Sequence, residues 1–194
     1  MKGCRPLTDE EVALVGKSFG GIYAARDKAL FLLGVKSGFR ISELLSLRLG
    51  DVYQQGRVVE RVTVPRRHMK RKTEGRTVLL HPEAKAALAS WLQVLPRGAT
   101  ATPALYVFRS RKGPNRPISR THAWAILHAI YQSNGFTGTL GTHAMRKTFA
   151  NRVYDHLHHD LVRTQRALGH KNINSTVSYL SFRDEDIDAA ILAG

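Results

Sequence analysis

The stretch LGHKNINSTVSYL, residues 168–180, decides between two folds for this part of the chain. Leu168 and Gly169, followed by the run from Ser175 to Ser178, resemble the turn and second helix of a DNA-reading helix-turn-helix. His170 and Tyr179 instead suggest an imidazole and a phenol that serve one reactive site. The first interpretation describes a DNA binder without chemistry and the second an enzyme, so the remaining sequence has to decide.

The balance of charges predicts a polyanionic partner. The 194 residues include 30 Lys and Arg against 15 Asp and Glu, which gives a formal net charge of +15. Hydrophobic residues make up 43% of the chain, which is enough for a folded core. Such a field favours nucleic acid, because solubility alone is better served by carboxylates than by additional cations.

Cysteine usage and hydropathy indicate the compartment. The one cysteine, Cys4, excludes an internal disulfide framework and suggests a reducing environment. No apolar run approaches the roughly 20 residues of a membrane span, and the N-terminal segment lacks the apolar core of a signal peptide. We therefore expect a cytoplasmic, nucleoid-associated protein without membrane contact.

The spacing of apolar residues predicts a mainly α fold with a small antiparallel β-sheet (α+β). A capping box at Thr8 and Glu11 opens the first helix, and Gly38 is expected to end the second. Val- and Thr-rich residues 57–65 and 76–80 predict two strands joined by a basic turn. The predicted helices span residues 8–19, 24–37, 42–47, 82–95, 119–134, 142–156, 161–168, 173–180 and 186–192.

Three further segments could carry chemistry, although each also has a plain structural explanation. Arg40 lies in a turn between two helices, where pairing with Glu43 would account for it. His143 and Arg146 share one face at a helix start, a place that favours anions, but a core histidine beside an exposed arginine is equally simple. The basic turn 70–75 would otherwise be a solvated turn whose lysines oppose edge pairing.

Taken together, these segments resemble the tyrosine recombinase (phage integrase) family. GFRISELLSLRLGDV, residues 38–52, is similar to the family's first arginine box, which implies that Arg40 is its first catalytic arginine. His143-Ala144-Met145-Arg146 matches the His-x-x-Arg box. Leu168-Gly169-His170 matches the Leu-Gly-His element, and the family's nucleophile, nine residues beyond that histidine, falls on Tyr179.

The family also has a lysine in a hairpin, which matches Lys72 in the segment KTEGRTVLL. Lys70 is the rival, since turn lengths vary in this family. The resemblance covers about residues 8–182 and implies the tyrosine recombinase catalytic-domain fold. The catalytic set that it implies is Arg40, Lys72, His143, Arg146, His170 and Tyr179.

The implied activity is site-specific cleavage and rejoining of duplex DNA through a 3′-phosphotyrosyl intermediate, as in integration, excision or inversion. Guanidinium groups match phosphate oxygens and gain most when charge builds in the transition state. Arg40 and Arg146 fit that role, and His170 can add a hydrogen bond. Because tyrosine ordinarily titrates near pH 10, Tyr179 needs a cationic setting or a base, and His143 is the candidate proton acceptor.

Lys72 is the candidate general acid for the leaving 5′-oxygen. The covalent link conserves the bond energy, so rejoining needs no ATP, and neither cofactor nor metal is expected. The ligand-rich residues 155–160, DHLHHD, form an alternative metal site, but they lack a clear i, i+4 histidine pair and suit a solvated helix end. Glu43 is expected to orient the site through hydrogen bonds.

Double-stranded DNA is the expected partner, bound by a dimer to tetramer of the chain with accessory DNA-bending proteins as further candidates. Only seven residues precede the first predicted helix, so we expect residues 1–194 to be a single catalytic domain without the family's N-terminal DNA-binding domain. Weak, salt-sensitive binding would follow. The predicted helix 186–192 would dock on a neighbouring subunit or on its own domain.

Two other functions fit the same resemblance. One is a non-catalytic DNA-binding regulator that retains the fold, and the other is a type IB-like topoisomerase. A helix-turn-helix alone explains about twenty residues and leaves the segments around Arg40 and His143 without a role. The presence of all six candidate residues favours the recombinase.

Overall fold

The computed structural model describes residues 3–64, 76–96, 98–181, 188 and 191–193. Lys70, Lys72 and most of the predicted helix 186–192 lie outside the described residues. The chain divides into two compact units, a first unit of residues 1–149 and a second unit of residues 150–194. Helix α7, Thr142–His156, contributes residues to both.

The predicted mainly α fold with a small antiparallel sheet is confirmed. In the first unit the helices before α7 are α1 (Asp9–Ser18), α2 (Ala24–Ser37), α3 (Ile41–Ser46), α4 (Leu49–Val52), α5 (Pro82–Gln93) and α6 (Arg120–Ser133). The strands are β1 (Tyr53–Gln54), β2 (Arg57–Val58), β3 (Arg61–Val64) and β4 (Arg76–Leu79). No helix of the described residues is long and apolar enough to cross a membrane.

The caps predicted at Thr8 and at Gly38 are confirmed, and Ser119 caps a third helix. Glu11 accepts a hydrogen bond from the Thr8 backbone at 2.9 Å while the Thr8 hydroxyl accepts one from the Glu11 backbone, which forms the capping box of α1. Ser119 caps α6 by accepting from the His122 backbone at 3.0 Å. Gly38 ends α2 in the left-handed conformation, with φ of 61°.

The sequence predicted one strand over residues 57–65, whereas the structure has two separate strands there, β2 and β3. Gln55 and Gly56 both have positive φ, 50° and 76°, which is the turn conformation that suits a two-residue hairpin. That turn folds β2 back on β1, so β3 begins only at Arg61. The predicted pairing of β3 with β4 is confirmed as antiparallel, with Val64 opposite Arg76.

Helix α2 is the centre of the first unit. Its apolar side chains are buried on nearly all sides, which is typical of a helix enclosed by other elements. It packs against α5, and its last turn leads through Gly38 and the buried Phe39 into α3. The site described below is built around this end of α2.

The second unit contains the remainder of α7 with α8 (Leu161–Leu168) and α9 (Ile173–Val177). Asp160 caps α8 by accepting from the Arg163 backbone at 2.8 Å, and Gly169 ends that helix with φ of 61°. Helix α9 has five residues, about one and a half turns. The prediction that it continues to residue 180 was wrong, and a helix this short is not suited to act as a DNA recognition helix.

We predict that Gly38→Ala destabilises the protein by about 2 to 4 kcal/mol, because the new methyl group combines a left-handed backbone with overpacking. An added Cβ would overlap the ring of Phe149. Gly56→Ala is the matched control, since Gly56 also has positive φ but has open space around the site of a Cβ. Urea unfolding measures both variants, and equal losses of stability would contradict the role of Phe149.

Candidate active site

Two buried guanidinium groups meet at the C-terminal end of α2. Arg146 is 1% exposed, and its Nη1 donates a hydrogen bond to the carbonyl oxygen of Gly38. Arg76 is 8% exposed and donates from Nη1 to the same oxygen at 3.2 Å and from Nη2 to the oxygen of Ser37 at 2.9 Å. The carbonyl end of a helix is its negative pole, so it stabilises cations that burial would otherwise disfavour.

Arg40, the first predicted catalytic arginine, lies two residues beyond Gly38 at the start of α3. Its Nη1 donates to Oε1 of Glu43 at 3.0 Å, and its backbone N–H donates to Oε2 at 2.8 Å. Glu43 is 2% exposed, whereas the Arg40 side chain is 34% exposed. The pairing of Arg40 with Glu43 that the sequence suggested is therefore present. The buried carboxylate of Glu43 orients Arg40, whose side chain still reaches the surface.

The cluster of Arg40, Arg76 and Arg146 has an excess of positive charge. Glu43 is a carboxylate of the described residues that acts on this cluster, and the charges of Arg40 and Arg146 act on Arg76. Burial, and next the charge of Arg146, lower the pKa of Arg76 to about 9, so Arg76 remains cationic at neutral pH. Among the described residues, three guanidinium groups beside the Glu43 carboxylate give a positive field that suits an anion such as a phosphodiester.

His143 stands at the surface of the first turn of α7, three residues before Arg146. Partial burial of its ring, followed by the positive charges of Arg146 and Arg40, lowers its pKa below the ordinary value of 6.5. Each of these causes disfavours the imidazolium. The ring is therefore neutral at neutral pH and able to accept a proton.

The sequence prediction missed Arg76. The signal was present, because side chains alternate along a strand and Arg76 pairs with the inward-facing Val64. An arginine on that face of a two-stranded sheet has to be buried beside the core.

In the second unit the structure brings His170 and Tyr179 together. Their ring centroids are 5.2 Å apart at an interplanar angle of 55°. His170 is buried, and its Nδ1 lies 3.0 Å from the hydroxyl of the fully buried Thr176. This contact orients the imidazole ring.

Tyr179 follows α9 in a turn, whereas the sequence predicted it within a helix. The Asn151 side chain explains the difference, because it serves the backbone on both sides of Leu180. Its Nδ2 donates to the oxygen of Tyr179 at 3.1 Å, and its Oδ1 accepts from the N–H of Ser181 at 2.9 Å. This clamp holds the backbone that carries the phenol.

Five of the six predicted site residues form two groups, and the sixth lies outside the described residues. Arg40, His143 and Arg146 gather in the first unit, and His170 and Tyr179 in the second. Lys72 and its rival Lys70 lie outside the described residues. Within the described part of the chain, no three His, Cys, Asp or Glu side chains are grouped as metal ligands, and in residues 155–160 His159 stacks on Tyr154.

We predict that the His143 ring titrates below pH 6.5 and that Arg40→Gln raises its pKa, because one of the charges opposing protonation is removed. The unfolded chain binds this proton more readily, so the contribution of His143 to stability is present above pH 6.5 and is lost as the pH falls through the folded pKa. Two-dimensional NMR titration of the histidine rings measures the shift. Arg61→Gln, at an exposed position of β3, is the control, and an equal shift in both variants would contradict the assignment.

Comparison with known proteins places this chain in a family. Residues 8–186 match the model of the phage integrase family. The tyrosine recombinase XerC of Caldanaerobacter subterraneus is 26% identical over 186 residues, which cover 95% of this chain and 49% of that protein. The probable integrase/recombinase YoeC of Bacillus subtilis is 30% identical over 165 residues, which cover 85% of this chain and 82% of that protein.

Solved structures agree on the fold. The XerA recombinase superposes with a TM-score of 0.78 at 21% identity, covering 100% of this chain and 64% of that one. The XerH site-specific recombinase, in a post-cleavage complex with its difH substrate, superposes with a TM-score of 0.73 at 24% identity, covering 96% and 51%. The present chain thus spans about half the length of XerC and about four fifths of YoeC. With the tyrosine recombinase catalytic-domain fold and a family match over nearly its whole length, the chain belongs to the phage integrase family.

Proposed function

We propose that this chain is a site-specific tyrosine recombinase that cleaves and rejoins duplex DNA. The observation that carries the proposal is the group of Arg40, His143 and Arg146 around the end of α2, where family boxes far apart in sequence form one cationic cluster. The pairing of His170 with Tyr179 supports it independently. Membership of the family supplies the class of reaction.

Arg40 and Arg146 bind the non-bridging oxygens of the scissile phosphate in the proposed reaction. Their planar forks of donors match phosphate geometry, and they stabilise the charge that builds on these oxygens in the transition state. His170 donates a further hydrogen bond from Nε2. The orientation of each group is set beforehand, by Glu43 for Arg40 and by Thr176 for His170.

The phenol oxygen of Tyr179 attacks the phosphorus while its proton passes to His143. The bond from phosphorus to the 5′-oxygen breaks, and that oxygen takes a proton from Lys72 and leaves as a hydroxyl. DNA is then linked through its 3′-phosphate to Tyr179. Rejoining is the reverse reaction with the 5′-hydroxyl of another strand, so the phosphodiester is conserved without ATP.

Double-stranded DNA is the proposed substrate and partner, which the net charge of +15 supports. Exchange between two duplexes requires several copies of the chain, so we expect a dimer to tetramer on DNA, assisted by DNA-bending proteins. The +15 charge would hold the protein at the nucleoid. Residues 1–194 are proposed to serve as the catalytic domain.

We predict a covalent protein–DNA adduct with the wild-type chain and none with Tyr179→Phe, which keeps the ring and lacks the attacking oxygen. The substrate is a library of nicked duplexes with randomised inverted repeats, in which the cleaved strand diffuses away and traps the intermediate. Denaturing electrophoresis detects adducts, and sequencing of the trapped DNA gives the target.

The outcomes separate the candidate functions. Adducts enriched in one sequence support the recombinase. Adducts without sequence preference, together with relaxation of supercoiled plasmid, would establish a topoisomerase instead. Sequence-specific binding with no adduct on any duplex would establish a regulator and would overturn the proposed activity.

We further predict that Thr176→Val lowers the single-turnover cleavage rate about 10-fold, because one hydrogen bond that orients His170 is lost. Valine has nearly the shape of threonine, so the packing changes little. Thr176→Ser retains the hydroxyl and is the matched control. The idea fails if both variants cleave equally fast when rates are divided by the folded fraction.

A further inference from the structure

Arg76 is a buried cation that the proposed reaction does not use. It lies at the start of β4, opposite Val64, and is 8% exposed. Burying a guanidinium group is costly, and an apolar side chain often fills such a position at equal or better stability. The energetic cost indicates that Arg76 has a task that an apolar residue could not perform.

The contacts of Arg76 identify that task. Its two terminal nitrogens donate to the consecutive carbonyl oxygens of Ser37 and Gly38, at 2.9 and 3.2 Å. Its guanidinium also lies over the ring of Phe39, 5.2 Å from the centroid. Arg76 thus contacts three consecutive residues, and the next residue in the chain is Arg40.

Both proposed phosphate-binding arginines depend on this same segment. Arg146 donates to the Gly38 oxygen that Arg76 also engages. Arg40 follows Phe39 directly, and its backbone N–H is fixed by Glu43. A shift of the backbone at residues 37–39 would therefore move Arg40 and remove the acceptor that orients Arg146.

We propose that Arg76 is a positioning residue that clamps residues 37–39 and thereby fixes the spacing of Arg40 and Arg146 around one phosphate. The inference rests on the proposed recombinase function. A planar fork that donates to two oxygens at once is a property of arginine, and a lysine can replace only its charge. The lowered pKa of Arg76 is consistent with a buried cation held close to Arg146.

The decisive variants are Arg76→Met, which removes the charge and both hydrogen bonds, and Arg76→Lys, which keeps a cation without the fork. Arg61→Met is the matched control, because Arg61 is an exposed arginine in the same two-stranded sheet. Single-turnover cleavage of nicked duplex is measured per folded molecule, beside the dissociation constant for DNA. We expect Arg76→Met to cleave about 100-fold more slowly, as for a small misplacement of catalytic groups, with Arg76→Lys intermediate and the control unchanged.

Two results distinguish positioning from plain structural support. The dissociation constants for DNA should stay close to that of the wild type while the cleavage rates fall. In addition, Arg76→Met should add little to the defect of Arg146→Lys, because the two residues act on one arrangement and their effects are not additive. The inference would be overturned if the two defects in cleavage rate multiplied in the double variant, or if both Arg76 variants cleaved at the wild-type rate.

A measurement without catalysis covers the case in which the wild-type chain forms no adduct. That outcome removes the proposed function, whereas the geometry can still be tested by ¹⁵N NMR of the arginine side chains. Rotation of the Arg146 guanidinium should be hindered in the wild type and faster in Arg76→Met. Identical guanidinium spectra in the two proteins would show that Arg76 does not hold the segment and would reject the inference alone.

Discussion

The end of helix α2 is the constraint on which the first unit depends. The carbonyl oxygens of Ser37 and Gly38 accept hydrogen bonds from buried arginines of β4 and α7, so two cations are held by backbone acceptors at the negative pole of a helix. This arrangement needs Gly38, because the left-handed turn and the close approach of Phe149 both exclude a side chain there. Gly38 is therefore needed both for the turn that ends α2 and for the arginine cluster of the proposed site.

Backbone acceptors have a chemical advantage over carboxylates in this place. If each arginine were paired with an acid, the cluster would be neutral and would have no attraction for a phosphodiester. Carbonyl oxygens provide hydrogen bonds and the attraction of a helix dipole while carrying no formal charge. Glu43 provides a negative charge that directs Arg40, and among the described residues the three guanidinium groups of the cluster outnumber it.

The structural features that the sequence predicted correctly are those set by residues close together in the chain. The capping box of α1, the glycine end of α2 and the bounds of α8 follow from residues that lie close together in the chain. The boxes around Arg40 and His143 were recognisable because the spacing of the residues in each box is fixed by a helix. The hydrogen-bond partners of Arg76 could not be predicted, since its acceptors lie 38 and 39 residues away, although alternation along β4 indicates its burial. The turn at Tyr179 depends in the same way on Asn151, 28 residues earlier.

The two histidines of the proposed site show how surroundings assign roles that a motif leaves open. His143 stands at the surface among arginines, where a lowered pKa keeps the ring neutral and suits it to receive a proton. His170 is buried with Nδ1 against the Thr176 hydroxyl, and this contact fixes the orientation of the ring that is proposed to donate to the phosphate. In the proposed reaction, burial and the nearby arginines therefore favour His143 as the proton acceptor, and the contact with Thr176 favours His170 as a hydrogen-bond donor.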